Sequence, residues 1–429
     1  MTLNPQLTAL LARDPLLPLR DELLDGALVG PRLQQLLGEG DGSAEAHCTR
    51  LRATYRRGES LRATYRLDGP AGARLVSARM FTAGKASAKL AQAEDDALRR
   101  GAPPGSVLVD DALDTVFWMF PEDRKLQGLA ELTSPSLSTR QALDAPWSRS
   151  ELVAYTPEKA ATARWEDASG RVVGFAKVQV GHEGRRSVDA LRAARRGVAN
   201  DGSLRLPDAV AYLPERHLAL FTPAPGRPLH ELPQDRWPEA MAALGAGLAV
   251  LHRQPVDGFA PFMRLDPGGL DAAGEVLRQA RPDLAPLVRS LVETLLLAPP
   301  GQAAPVLLHG DLHPKNVLVH DAGISLVDLD QAGSGPAAAE LGGMLARLWC
   351  PRPGDEITDD TAATAADAFL ASYGQAPAHS DLLWYAAAAL LVERAARAVH
   401  RVDVRTLAVL EEVLVTALRW AESRTDAGR

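Results

Sequence analysis

Residues 306–330, VLLHGDLHPKNVLVHDAGISLVDLD, constrain this chain more than any other stretch. Val306, Leu307 and Leu308 form a short apolar run. The next eight residues, His309 to Asn316, are punctuated by Gly310 and Pro314 and predict a loop. Val317-Leu318-Val319 is apolar again, Asp321-Ala322-Gly323 reads as a turn, and Ile324 to Leu329 predict a further strand carrying Asp328, with Asp330 just beyond. Short strands on either side of a turn hold their ends close, so Asp311, Asn316 and Asp328 are expected around one small volume. An oxygen-only set of this kind suits Mg²⁺, which takes one or two protein carboxylates and leaves room for water and substrate phosphates. A further Asp can orient or deprotonate a hydroxyl. His309 and His313 are four apart, but that spacing makes a zinc pair only on a helix, and Gly310 and Pro314 argue against one. Both histidines are expected to hydrogen-bond the loop into shape.

Asp311 and Asn316 are separated by five positions, and a metal-type Asp closes the hairpin that follows. This is the layout of a kinase phosphotransfer site: catalytic-loop Asp, Asn after four intervening residues, metal-binding Asp after the next hairpin. HGDLHPKNVLV followed by LVDLDQAG resembles the aminoglycoside phosphotransferase family, whose members read HGD-x-x-x-x-N here, with I-D-(F/W/L) after the hairpin. The resemblance implies an α+β, protein-kinase-like bilobal fold, with an antiparallel-sheet N-lobe and a mostly helical C-lobe. It also implies ATP and Mg²⁺ as cofactors, Asp311 as catalytic base, Asn316 and Asp328 as metal ligands, and a sugar, amino sugar or amino alcohol hydroxyl as acceptor.

The rest of the chain supplies two similar blocks before that loop. In the first, residues 47–67 predict a hairpin, Leu75 to Phe81 a third strand, residues 84–100 a helix, and 107–109 and 116–120 two more strands. In the second, Tyr155 to Trp165, Val172 to Val180, a helix from Glu183 to Ala199, Ala209 to Leu213 and Leu218 to Thr222 repeat the order. Tyr55 and Tyr155, Arg79 and Lys177, and Arg99-Arg100-Gly101 and Arg195-Arg196-Gly197 correspond, which reads as a duplicated five-stranded unit. The expected organisation is a helical lead (1–44), a cap resembling a duplicated N-lobe (45–145), the working N-lobe (146–225) and a helical C-lobe (226–429) with catalytic loop 309–316. An extra N-terminal cap is also similar to that of the maltose-acting kinases of this superfamily.

The resemblance assigns Lys177, on the third strand of the second block, to the nucleotide α- and β-phosphates. Its usual helix Glu is absent, and Asp189 is the best substitute. The turn Thr156–Ala160 is not glycine-rich. In the family a stretch ending P-G-x-P-L crosses from N-lobe to C-lobe and its backbone receives the adenine; here it reads LALFTPAPGRPL, and backbone near Thr222 and Ala224 is expected to contact adenine. Trp237 to Arg253 predicts a helix with Met241, Leu244, Leu248 and Leu251 facing inward and His252 packing or capping. Residues 255–300 read as short helices. The family's G-D-P-x-x-D brace is altered to GSGPAAAELG, with Glu340 at the second Asp. The acidic run Asp355, Glu356, Asp359, Asp360 reads as a solvated loop and helix start, the alternative being a rim for a cationic substrate. Residues 381–423 predict two long helices, with Glu393, Arg394 and Arg397 facing water.

A net charge of −7 gives no electrostatic case for nucleic acid. The two distant cysteines, Cys48 and Cys350, predict a reducing compartment without a disulfide framework. The N-terminus lacks a basic region followed by an apolar core, and the longest apolar run, Ala386 to Val392, is too short for a bilayer, so a cytoplasmic protein with no membrane partner is expected. Oligomeric state is silent in the sequence. Two other functions fit the same residues: a kinase-like domain that binds nucleotide or a partner without transfer, and a kinase acting on a peptide hydroxyl.

Overall fold

A computed structural model describes residues 9–38, 47–69, 72–82, 85–198, 202–349 and 357–426, with side chains up to 423 in the last helix. Cys350, Asp355 and Glu356 lie outside the described residues. The chain divides into two compact units. The first comprises Met1–Gly184, Leu213–Leu218 and Ala398–Val404, the second Arg185–Tyr212, Ala219–Arg397 and Arg405–Arg429.

The first unit opens with helices α1 (Arg20–Leu24) and α2 (Gly26–Leu36). Five strands follow: β1 (His47–Arg56), β2 (Ser60–Gly69), β3 (Gly72–Met80), β4 (Val107–Asp110) and β5 (Thr115–Met119), in the order β1-β2-β3-β5-β4, all antiparallel. Helix α3 (Ala86–Arg99) joins β3 to β4. Its Ala86, Ala93 and Ala97 lie against Val107, Val116 and Trp118, so one small-residue face seats the helix on the sheet. After α4 (Leu129–Thr133) and α5 (Leu137–Leu143), the strands β6 (Arg149–Thr156), β7 (Ala160–Glu166) and β8 (Val172–Gln179) pair antiparallel in sequence order.

The two blocks repeat in detail as well as in order. Tyr55 donates its hydroxyl to Asp14 Oδ2 (2.7 Å), which also accepts the Gly58 N–H (2.8 Å), while Asp14 Oδ1 accepts Leu16 N–H (3.0 Å). Tyr155 donates to Asp123 Oδ2 (2.7 Å), which accepts the Glu158 N–H (3.0 Å), while Asp123 Oδ1 accepts Lys125 N–H (2.7 Å). Both hairpin turns carry a left-handed residue, Gly58 at φ 70° and Glu158 at φ 61°. Each first strand has a bulge, between Arg50 and Arg52 and between Leu152 and Ala154. A single helical turn, Asp111–Leu113 or Pro214–Arg216, precedes each last strand and ends in a left-handed residue, Asp114 or His217.

The second unit takes in most of α6 (Glu183–Val198), then β9 (Leu204–Arg205) and all but the facing end residues of β10 (Ala209–Leu213) and β11 (Leu218–Phe221). A four-stranded sheet has the order β12-β14-β15-β9, with β12 (Arg227–Pro228), β14 (Val317–His320) and β15 (Gly323–Leu326). A two-stranded one joins β13 (Val306–Leu308) to β16 (Gly333–Gly335). Helix α7 (Trp237–His252) runs through the core: Met241, Leu244, Leu248 and Leu251 are all buried, packed with Leu307, Val317, Ile324 and Leu326. Burying each such side chain contributes about 2 kcal/mol, so α7 anchors the strands that carry the loop. Residues 255–300 are not short pieces but two full helices, α8 (Pro267–Ala280) and α9 (Ala285–Leu297); the Pro residues read as breaks sit in first turns, where a missing N–H costs nothing.

Helices α10 (Ala337–Trp349) and α11 (Asp359–Tyr373) follow, the latter capped by Thr358, which accepts Thr361 N–H; Asp359 and Asp360 are the exposed first turn of that helix. The expected pair of long C-terminal helices is broken up. After α12 (His379–Ala389) comes a π-helical segment, Leu390–Ala396, then α13 (Arg397–Arg401), α14 (Val404–Ala408) and α15 (Leu410–Asp426). Burial pushes the Cys48 thiol up to about 11, which makes it unreactive at neutral pH. Among the described residues no helix is long and apolar enough to cross a membrane.

Candidate active site

The loop 309–316 hangs between β13 and β14 in the second unit. Gly310 has φ +81°, and a Cβ there would lie 1.9 Å from the Gln331 carbonyl oxygen, so only glycine fits beneath the next crossing of the chain. His309 donates Nε2–H to the Val327 carbonyl (2.9 Å), and its Nδ1 accepts the Asp311 N–H (3.3 Å), which fixes the tautomer from both sides. His313 Nδ1 accepts the Lys315 N–H (3.2 Å). Both histidines therefore shape the loop, as the sequence implied.

The altered brace still works. Glu340 is buried at the start of α10 and accepts the backbone N–H groups of His309 (3.0 Å) and Gly310 (2.9 Å), one on each oxygen. His252 Nε2, at the end of α7, donates to Glu340 Oε2 (3.0 Å), and its Nδ1 meets the Tyr373 hydroxyl (3.0 Å). Burial alone would raise the Glu340 carboxyl, but the hydrogen bond and charge of His252 and the loop amides hold it below its usual value. His252 is thus a support of the brace as well as a packing residue.

Asn316 is buried, donates Nδ2–H to the Asp311 carbonyl (3.1 Å) and N–H to the His313 carbonyl (2.8 Å), and its own carbonyl accepts Val327 N–H (3.0 Å). The last bond continues the β14–β15 ladder and places Val327, the residue before Asp328, opposite Asn316. With Nδ2 spent on the backbone, the side chain keeps Oδ1, the atom a hard cation takes. The strand expected over Ile324 to Leu329 ends at Leu326. Asp328 sits instead at φ 66°, ψ 50°, and Leu329–Gln331 form a single helical turn. A non-glycine residue held left-handed costs about 1 kcal/mol or more, and such residues cluster at functional sites. Among the described residues no group of three or more His, Cys, Asp and Glu forms a metal cluster; Asn316 Oδ1 and the Asp328 carboxylate are hard oxygens of the type Mg²⁺ takes, and that ion needs few protein ligands.

Asp311 is three-quarters buried, and its Oδ1 has no hydrogen-bond partner. Two guanidiniums stand near that atom, Arg397 Nη1 at 3.5 Å and Arg264 Nη1 at 3.8 Å. Burial would raise this carboxyl, but Arg397, His313, Arg264 and Arg347 outweigh it and bring it down to about 2. Glu393 links the surroundings, accepting from Arg264 (2.9 Å) and Arg347 (3.0 Å). Burial pulls the His313 imidazole down to about 4 against the attraction of Asp311, so it is neutral at pH 7. The water-facing expectation for Glu393, Arg394 and Arg397 is corrected here. Arg394 is buried, the Glu393 side chain is 12% exposed and the Arg397 side chain 25%. The π-helical segment, where extra turns are rare and mark functional positions, carries the first two and leads into the third.

The remaining expected residues sit as follows. Lys177 lies on β8 in the first unit, opposite Thr162. Asp189 on α6 is exposed, its carboxylate held by Arg185 at 2.9 Å in an i, i+4 pair. Thr222 follows β11; its N–H donates to Asp208 O (2.9 Å) and its Oγ1 accepts Asp208 N–H (2.8 Å), and both Thr222 and Ala224 are half-buried. The Ser325 hydroxyl donates to Pro225 O (2.8 Å), tying the crossing segment to β15. Arg264, Arg347, Glu393 and Arg397 were missed as site residues. The charged triplet Glu393, Arg394 and Arg397 inside an otherwise apolar helical run was the one signal for two of them, and nothing in the sequence pointed to Arg264 or Arg347.

The model described as the phosphotransferase enzyme family matches residues 178–385, beginning one residue after Lys177 and ending before Glu393. No curated protein matches the chain. Among solved structures, a thermostable mutant of aminoglycoside phosphotransferase APH(4)-Ia, in ternary complex with ADP and hygromycin B, is 17% identical at TM-score 0.49. That match covers 64% of this chain and 94% of that one. Amicoumacin kinase hAmiN, in complex with AMP-PNP, Ca²⁺ and amicoumacin, is 15% identical at TM-score 0.48, covering 66% and 92%. APH(3'')-Id from Streptomyces rimosus is 18% identical at TM-score 0.38, covering 57% and 92%.

Proposed function

We propose that this chain, whose residues 178–385 match the phosphotransferase enzyme family, transfers the γ-phosphoryl group of ATP to a hydroxyl of a small molecule. The observation that carries the reading is Asp311 Oδ1, a buried carboxylate oxygen without a hydrogen bond, on a loop whose backbone is held by Glu340 and His309. A hydroxyl donated to that oxygen is aligned for in-line attack on phosphorus. The new bond joins acceptor oxygen to γ-phosphorus, the bond to the β,γ-bridging oxygen breaks, and ADP leaves. The hydroxyl proton passes to Asp311 and then to solvent. With a carboxyl near 2, Asp311 is a weak base, so it chiefly orients the nucleophile and takes the proton late. Asn316 Oδ1 and the Asp328 carboxylate would hold Mg²⁺, which neutralises phosphate charge. Lys177 would meet the nucleotide phosphates, with Asp189 as its substitute acid, and backbone at Thr222 and Ala224 would receive adenine. To take that role Asp189 would exchange its present partner, Arg185, for Lys177. The recurring Tyr–Asp–turn arrangement, Tyr55 with Asp14 and Tyr155 with Asp123, supports reading the first block as a duplicate of the second, and the division proposed is a cap (45–145), an N-lobe (146–225) and a C-lobe (226–429).

The test has two arms. Mg·ATP should raise the melting midpoint of the wild type by mass action, and Asp328→Asn should abolish the Mg²⁺-dependent part. Asp311→Ala should keep the shift but lose turnover by at least a hundredfold. A shift without any Asp311-dependent turnover would leave a nucleotide-binding protein instead, and unchanged Mg·ATP binding in Asp328→Asn would remove the metal assignment.

A further inference from the structure

The acceptor pocket carries a charge signature. Arg397 is three-quarters buried, and among the described residues its partner is Asp311 at 3.5 Å, beyond hydrogen-bond distance. A guanidinium offers five N–H donors in a fork suited to carboxylate or phosphate. Arg264 Nη1 also stands near Asp311 Oδ1, at 3.8 Å, held in place by Glu393 (2.9 Å), Gln331 (2.7 Å) and the face of Phe262. Neither arginine closes on Asp311, so they are not simply clamping it. Both stand beside the oxygen to which the acceptor hydroxyl would be donated. An ammonium brought there would be repelled by two guanidiniums in a partly desolvated site, where charges are poorly screened. A carboxylate or phosphate would fill the unused donors.

We propose that the acceptor is an anionic hydroxy compound, bearing a carboxylate or phosphate within a few bonds of the reacting hydroxyl, and that Arg397 and Arg264 bind that group. This rests on the phosphotransferase reading and narrows it, away from polycationic acceptors. Arg397 lies beyond the family-matched residues, on the turn after the π-helical segment, so the specificity belongs to this chain's own C-terminal helices.

A matched series separates charge from shape: gluconate, glucitol and glucamine share six carbons and differ only at C1, and glycerate, glycerol and 3-amino-1,2-propanediol do the same with three. Thermal shift with Mg·AMP-PNP present reports binding, and a coupled ADP assay reports turnover. The expected result is that within each series the carboxylate stabilises the protein and is used at least tenfold more efficiently than the neutral compound, and the amine least. Arg397→Gln should erase the preference, and Arg397→Lys should restore part of it by keeping the charge without the fork. Equal binding across a series, binding led by the amine, or no stabilisation by either carboxylate would overturn the inference. Those outcomes leave the phosphotransferase reading intact so long as Mg·AMP-PNP itself still shifts the wild type; loss of that shift would instead sink the reading beneath it.

Discussion

Glu158 provides a direct test of how the first unit is held together. It sits at the tip of the β6–β7 turn, its side chain 4% exposed, and faces a cluster of cations from the first block and the segment after it. Arg79 Nη1 donates to both carboxylate oxygens (2.7 and 2.5 Å), Arg124 donates at 2.8 Å, and Lys125 and Arg62 stand at 3.9 and 4.0 Å. Burial pushes this carboxyl up, but the hydrogen bonds and charges of Arg124 and Arg79 bring it below its ordinary value. Removing one partner of a buried ion pair costs roughly 3–5 kcal/mol, because the other charge is left uncompensated. Here Arg79 and Arg124 are 20% and 32% exposed and can partly resolvate, so the expected cost of Glu158→Gln is at the low end, about 3 kcal/mol. The left-handed backbone supplies a control: Glu158→Gly loses the same ion pairs but relieves about 1 kcal/mol of strain relative to Glu158→Ala. Urea, which does not screen charge, is the right denaturant. Hydrogen exchange in peptides covering 60–80 and 149–166 reads the first unit alone. Because the folded pKa is depressed, the stabilisation is full above the unfolded value near 4.5 and fades as pH falls through the folded one. A Glu158→Gln protein within about 0.5 kcal/mol of wild type at pH 7, or a margin that persists at low pH, would refute the reasoning.

Three further outcomes follow from the second unit. Glu340→Gln should cut turnover by at least tenfold, measured with Mg·ATP saturating, since its amide NH₂ must face a backbone N–H of His309 or Gly310 that now donates to an oxygen. Gly310→Ala should destabilise by about 3 kcal/mol or fail to fold, because a Cβ meets Gln331 O at a left-handed φ; a soluble variant with a normal melting curve would contradict the close approach. His313 is held neutral down to about pH 4, below its unfolded value, so the unfolded chain binds the extra proton first and the protein loses stability as pH falls from 6.5 toward 4. Acid titration of His313→Gln should show a shallower loss over that window.

The site was legible where spacing encodes geometry and opaque where packing does. Gly310, Asp311 and Asn316 stand at fixed intervals along one loop, so a linear reading can find them. Alternation within 47–67 and 155–165 likewise gave the strands, and the inward stripe on α7 gave Met241 through Leu251. Glu340, by contrast, has meaning only when α10 brings it under the loop, and a family pattern with Asp at that place made the longer Glu look like a defect. One extra methylene merely lets the carboxylate span two backbone N–H groups. The run LLVERAARAVH looked amphipathic with a wet charged face under a period of 3.6, whereas the π-helical segment winds at a longer period and turns Glu393, Arg394 and Arg397 inward. Two of the missed residues, Glu393 and Arg397, are charges turned inward by a departure from regular helix, and a reading that assumes regular periodicity places them in water. The other two, Arg264 before α8 and Arg347 on α10, carry no periodic signal at all and gain their meaning only when the fold brings both to Glu393.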